Sequence, residues 1–288
     1  MDAYYANRVG SAPTRRGDPL AAERKALLGP LERSVRATHR RIAAMSHQLE
    51  IAESERDGLR RAGEAILTHQ AELPAGSTEL VQDGERFPLN STQTAVENAQ
   101  AYFARYRKAR DTEARLPGLL AEAQNAAEHL AELRTLVEVA DQMDAVRALR
   151  REVGAATGTR SPRDSKNAAK RAPVTRVSLP DGWEALVGAS AEGNATVTFD
   201  LARPDDLWLH ARGVPGAHVI LRGPTGSPPP AVLERAAALA ARHSAARDSS
   251  AVEIDIAPRR YVKKIPGAAP GLVRYTNERT IRVTPDSG

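Results

Sequence analysis

The sequence predicts an α+β chain, a long antiparallel coiled-coil hairpin followed by a small, mostly antiparallel α+β domain, on three observations. Only six of the 19 prolines precede residue 161, and none falls between Leu31 and Leu73 or between Asn90 and Leu116, as long helices require. Two apolar seams in this first part alternate spacings of three and four, the a/d pattern of a coiled coil. Beyond residue 172 that period gives way to short strand-like runs around one Ala-rich helix. At 288 residues the chain is about twice a ~150-residue domain, so both parts fit.

The first seam is Leu28, Leu31, Val35, Thr38, Ile42, Met45, Leu49 and Ala52. Leu119, Ala123, Ala126, Leu130, Leu133 and Val137 form the second, and the short intervening segment makes the two helices antiparallel. Pro30 and Pro117-Gly118 are expected to kink or delimit them. Between the helices, residues 78–89 read as a small β-hairpin turning at Asp83-Gly84, and Asn90-Ser91-Thr92 supplies a cap for the second helix. A third helix is predicted over 141–153. The Gly, Ser, Thr, Ala, Lys and Arg of 154–172 carry no apolar period and read as a linker. The domains are thus 1–153, linker 154–172 and 173–288. Strands are predicted over 174–179, 184–187, 195–199, 207–211, 218–221, 252–256, 273–276 and 281–283, with a helix over 230–245 lying across the sheet.

Composition narrows the function classes. With no Cys there is no disulfide framework, Cys-ligated zinc or thiol nucleophile, which fits a reducing cytoplasm. No apolar stretch approaches the ~20 residues of a membrane span, and residues 1–4 do not begin a signal peptide. There is no nucleophile elbow, phosphate loop or paired-carboxylate motif, so an enzyme is not expected, nor a cofactor or a metal. Residues 1–160 carry 23 basic and 23 acidic residues, whereas 161–288 carry 18 and 13, so the whole excess of +5 lies in the second part. Arg259, Arg260, Lys263, Lys264, Arg274, Arg279 and Arg282 stand against only Glu278 and Asp286. Such a cluster is either a polyanion footprint or a solvated basic face.

Two further segments hold candidate contacts. Tyr102, Phe103 and Tyr106 lie at helical spacing beside Arg105, Arg107 and Lys108, either a basic aromatic contact surface or core aromatics with solvated cations outside. In Asp206-Leu207-Trp208-Leu209-His210-Ala211-Arg212, strand alternation puts Asp206, Trp208, His210 and Arg212 on one face. Indole, imidazole and guanidinium together can stack on bases and bind phosphate; the alternative is a satisfied structural cluster. His218 follows a Pro-Gly turn and returns toward that face. Two His and an Asp match none of the strong zinc spacings.

Asp206-Leu207-Trp208-Leu209-His210-Ala211-Arg212, Pro215-Gly216-Ala217-His218-Val219-Ile220, residues 236–241 with Ser244-Ala245-Ala246-Arg247, then Val262-Lys263-Lys264, Pro270-Gly271 and Tyr275-Thr276 resemble, in order and spacing, the NFACT-R domain of the NFACT family of ribosome quality-control factors. Residues 98–108 look like that family's middle coiled coil, and Asp2-Ala3-Tyr4-Tyr5 like the segment before it. The family's NFACT-N and helix-hairpin-helix domains have no counterpart here, so a C-terminal portion or a naturally split form is expected. Ala189-Ser190 stand where the family usually has a basic residue and Asn, while Asn194 follows as expected. The resemblance implies binding of obstructed large ribosomal subunits (rRNA) and of tRNA or peptidyl-tRNA in support of alanine tailing, with bond formation left to the ribosome. It implies RNA contacts at Trp208, His210, Arg212, Gly216, His218, Arg247, Arg259, Arg260, Lys263 and Lys264, and ribosome contacts at Tyr102, Arg105, Arg107 and Lys108. The competing expectation is a coiled-coil scaffold or fibronectin-binding surface adhesin.

Overall fold

The computed structural model describes residues 18–159 and 173–285. Asp2-Ala3-Tyr4-Tyr5, most of the predicted linker and Asp286 lie outside the described residues. The chain packs as two compact units, residues 34–129 and residues 18–33 together with 130–285.

Within 34–129, helix α1 (Pro19–Thr68) lies antiparallel to helix α2 (Ala95–Val139). Met45 packs with Leu116 and Ala123, and Ala52 and Leu59 pack with Tyr102, Tyr106 and Ala109, so rising numbers on one helix meet falling numbers on the other. Ala126 of the predicted seam is exposed. Pro30 and Pro117 lie inside their helices rather than delimiting them. A Pro in a helix interior costs about 3 kcal/mol; the neighbours Leu31 and Leu116 are both buried. Strands β1 (Glu79–Gln82) and β2 (Glu85–Pro88) form the expected hairpin, with Asp83 and Gly84 both at positive φ, as a type I′ turn demands. Phe87 and Leu80 pack on Ala62, Ala65 and Tyr102, closing the end of the apolar seam. Helix α2 starts with a reciprocal cap: the Glu97 amide donates to Thr94 Oγ1 at 3.2 Å, and the Thr94 amide donates to Glu97 Oε2 at 2.8 Å.

In the other unit, helix α3 (Met143–Ala156) continues past the predicted Val153 and buries Ala145, Val146, Leu149 and Val153. The guanidinium of Arg24 donates to the Glu138 and Ala140 carbonyls, both at 3.3 Å, capping the last turn of α2. A six-stranded sheet follows, built from β3 (Val174–Ser178), β4 (Glu184–Gly188), β5 (Leu207–Ala211), β6 (Val219–Arg222), β7 (Val252–Pro258) and β10 (Arg279–Val283). Its order is β10-β7-β5-β6-β4-β3, and every pair is antiparallel. Helix α5 (Pro230–Arg242) packs on β5, β6, β7 and β10. Its buried face is mostly alanine, Ala236, Ala237, Ala240 and Ala241, which allows close approach to the sheet.

Two predicted features are corrected. Residues 195–199, expected as a strand, are helical: helix α4 (Ala191–Ala195) runs into a π-helical turn, Thr196–Leu201. The β-branched composition suggested a strand, but Ser190 caps the segment, its Oγ accepting the Gly193 amide at 3.0 Å, and buried Val197 and Thr198 fix it against the sheet. The face of Trp208 and His210, expected to meet solvent, is covered by a second layer. This layer comprises the π-helical turn and a ribbon of β8 (Val262–Lys264) and β9 (Val273–Tyr275), so Trp208 sits in one core with Leu186, Val197, Ile220, Ala257 and Val262.

Candidate nucleic-acid interface

Trp208 has no exposed surface. Register places it opposite Ile220 on β6 and Ala257 on β7. Its indole stacks on His210 with ring centroids 5.5 Å apart and planes 11° apart, meets His218 edge-on at 5.2 Å, and touches Tyr275 at 4.6 Å. The expectation that Trp208 stacks on a base is corrected: its ring faces are spent inside the fold.

His218 is buried, its Nδ1 2.9 Å from Thr198 Oγ1, and its backbone amide donates to Asn194 Oδ1 at 2.9 Å. Burial holds the His218 ring well below the usual imidazole range and pushes half-buried His210 down to about 4, so at neutral pH neither carries charge for a phosphate. Gly216 is buried in a bridge to Ser244; a Cβ there would stand 2.9 Å from that of Ser244, so the turn needs the missing side chain. Trp208, His210, His218 and Gly216 are thus brought together by the sequence as predicted, but as an enclosed scaffold rather than an open surface.

The cations divide by their partners. Exposed Arg212 donates to Thr280 Oγ1 at 2.9 Å and lies 3.8 Å from Asp255, whose carboxylate also accepts from Thr280 at 2.6 Å and Tyr275 at 2.8 Å. Arg260 pairs with Asp205, and half-buried Arg247 lies 3.7 Å from Asp248. Arg259 is half-buried and donates to the Thr198 carbonyl at 2.7 Å. Lys263 and Arg274, by contrast, are directly opposite one another on β8 and β9, both exposed. Among the described residues neither these two nor Lys264 makes an ion pair. Like charges facing each other across a ribbon repel, and a bound anion relieves that repulsion.

Sequence reading missed Phe199 and Tyr261. Phe199 is half-exposed on the π-helical turn, with the Arg259 guanidinium 5.1 Å and the Lys264 ammonium 4.8 Å from its ring centre. Tyr261 is 38% exposed, with the Arg260 guanidinium 5.9 Å from its ring. The signal available was Arg259-Arg260-Tyr261-Val262-Lys263-Lys264, cations interleaved with an aromatic. In the helical unit, Tyr102 is half-buried between the helices and donates to the Pro88 carbonyl at 2.7 Å, so it is a packing residue. Arg105, Arg107 and Lys108 are exposed, with Arg105 3.5 Å from Glu55. No cluster of metal-binding side chains occurs among the described residues, and no described helix is long and apolar enough to cross a membrane.

Known proteins are similar to this chain in sequence and architecture. The protein named Rqc2 homolog RqcH from Streptococcus pneumoniae is 28% identical over 294 residues, covering 100% of this chain and 52% of the relative, and that from Bacillus subtilis is 36% identical over 204 residues, covering 69% and 35%. The chain therefore spans about half the length of the streptococcal relative. A solved structure, the C-terminal part of the fibronectin/fibrinogen-binding protein from Streptococcus suis, superposes with a TM-score of 0.72 at 26% identity over 94% of this chain and 97% of that one. Since residues 1–172 match the model of the NFACT N-terminal and middle domains, more than half of the sequence, the chain belongs to the NFACT family.

Proposed function

We propose that this chain is the middle and C-terminal portion of an RqcH-type ribosome quality-control factor, acting in the cytoplasm, and that it docks on RNA of obstructed large ribosomal subunits. The observation that carries this reading is the Lys263 and Arg274 pair, two exposed cations opposed on one ribbon, with Lys264 beside them and no acidic partner among the described residues. A phosphate backbone supplies the missing counter-charge. Exposed Arg107 and Lys108 on α2 supply a second set of backbone contacts. The chain performs no bond chemistry, and tailing of the stalled peptide with alanine is left to the ribosome. Contacts to tRNA belong mainly to NFACT-N and helix-hairpin-helix portions of such a factor.

The test is co-sedimentation with large subunits that carry peptidyl-tRNA, in competition with an intact RqcH. The chain is expected to bind and compete while adding no alanine in a reconstituted reaction. Failure to sediment with subunits refutes the docking. A second reading comes from the name of the Streptococcus suis protein, which points to fibronectin and fibrinogen. Saturable binding to immobilised fibronectin, together with no affinity for subunits, would establish that reading instead.

A further inference from the structure

The docking reading leaves open what kind of RNA the C-terminal unit takes. Phosphate contacts alone do not distinguish a duplex from a single strand, but an exposed ring does, because only an unpaired base offers a free face to stack. Resting on that reading, we propose that Phe199 and Tyr261 form a stacking platform for unpaired bases of single-stranded RNA, with Lys263, Lys264 and Arg274 on the adjoining phosphates.

Phe199 and Tyr261 stand beside the cations, whereas Trp208 is enclosed and Tyr275 is committed to Asp255. Phe199 is displayed by the π-helical turn, whose extra residue per turn breaks the helical period; such turns recur at functional sites. The Arg259 guanidinium is tethered to that same turn by the Thr198 carbonyl at 2.7 Å, which holds a planar cation 5.1 Å from the ring centre without side-chain freedom to lose on binding. Among the described residues no carboxylate pairs with the Lys264 ammonium, which lies 4.8 Å from the Phe199 ring centre. It can swing to a phosphate as a base takes its place on the ring.

Tyr261 presents 38% of its surface from the single turn between β7 and β8, two residues after Arg259. Its neighbour Val262 is fully buried in the same core against which Phe199 packs, so both rings are anchored to one rigid layer. Along the chain Tyr261 is flanked by Arg259 and Arg260 on one side and, past buried Val262, by Lys263 and Lys264 on the other, and Arg274 answers Lys263 from β9. A single strand offers free base faces to such rings and phosphates to the flanking cations; an A-form duplex, with its bases already stacked, does not.

The experiment uses the full chain and four probes: a short oligouridylate carrying one fluorescent adenine analogue, the same strand in a perfect duplex, inorganic polyphosphate, and an acidic peptide as competitor. The single strand is expected to bind more tightly than the duplex and to quench the analogue on stacking. Tyr261→Ala is expected to lower single-strand affinity about 5- to 150-fold, as does Phe199→Leu, which keeps an apolar side chain toward the core. Tyr261→Phe is expected to retain affinity. Neither loss should change the salt dependence or the affinity for polyphosphate. Unchanged single-strand affinity in Tyr261→Ala and in folded Phe199→Leu overturns the platform, as does equal affinity for duplex and single strand. In either event subunit docking through phosphates stands. An acidic peptide competing as strongly as RNA overturns the platform in favour of a protein partner, and loss of subunit co-sedimentation as well would refute the docking reading separately.

Discussion

The carboxyl of Glu132 on α2 accepts a hydrogen bond from Asn194 Nδ2 at 2.7 Å in a region closed to solvent, and its other oxygen has no partner among the described residues. Asn194 passes the connection on, donating to the Gly216 carbonyl at 3.2 Å and accepting the His218 amide at 2.9 Å. Glu152 on α3 does the same for the start of α4, accepting the Ala191 and Glu192 amides at 2.9 and 3.2 Å. Gly271, at φ +91°, completes the enclosure: a Cβ there would meet Glu132 Oε1 at 2.6 Å. Through these side chains the last turns of α2, from Leu130 on, and α3 pack into the same unit as the C-terminal sheet.

Burial pushes the Glu132 carboxyl up to about 8 and that of Glu152 to about 7. An acid raised in the folded state holds its proton after the unfolded chain has released one, so stability falls as pH climbs from the unfolded value toward the folded one. The buried His residues act oppositely, being depressed, and weaken the fold only below their unfolded value of about 6.5. Thermal melts are therefore expected to show stability declining between pH about 6.5 and about 8. In Glu132→Gln, which keeps an acceptor for Asn194 without ionising, that decline should be smaller, and an identical slope would contradict the assignment.

Trp208→Ala is expected to destabilise the protein by about 3 to 5 kcal/mol, the range for emptying a large aromatic site in a core. Trp208→Phe, if folded by circular dichroism, should bind RNA like the parent. Denaturant titration measures the first, and filter binding the second; selective loss of RNA affinity in a stable Trp208→Phe would restore a contact role to the indole.

Each phosphate contact formed on binding releases counterions and contributes roughly 0.7 to 0.9 to the slope of log affinity against log salt. Lys263→Ala with Lys264→Ala should reduce that slope by about 1.4 to 1.8. Arg212→Ala is expected to reduce it far less, because Asp255 already answers that charge at 3.8 Å. Titrations at several salt concentrations distinguish the two.

In the helical unit, Gly63 admits the Phe103 ring: a Cβ would lie 2.8 Å from its Cζ. Gly63→Ala should therefore cost about 1 to 3 kcal/mol by overpacking, despite the better helix propensity of alanine. A raised melting temperature would show that the ring can move aside.

The helices, the β-hairpin turn and most strands were legible because each is specified locally. Proline spacing, a three-four apolar alternation and Asp83-Gly84 act over a few residues. The family was legible too, since the residues from Asp206 to Arg212 and from Pro215 to Ile220 stand in order. What misled was exposure. Alternation correctly put Trp208, His210 and Arg212 on one face, but a strand's period says which side chains share a face, not whether another layer covers it. That layer came from segments with weak local signals, a π-helical turn whose Val197 and Phe199 read as a strand, and a ribbon starting some 50 residues downstream of Trp208.

By itself, then, the sequence determined the coiled-coil hairpin, the antiparallel sheet and its helix, the location of the excess charge and the family. Only the tertiary structure decided which aromatic is core and which is surface, which cations are neutralised by Asp255 and Asp205 and which stand unpaired, and that Glu132 and Glu152 lie inside. The reason is physical. Burial and charge compensation depend on distances between residues far apart in the chain, and free energies of desolvation and ion pairing are set by those distances rather than by local composition.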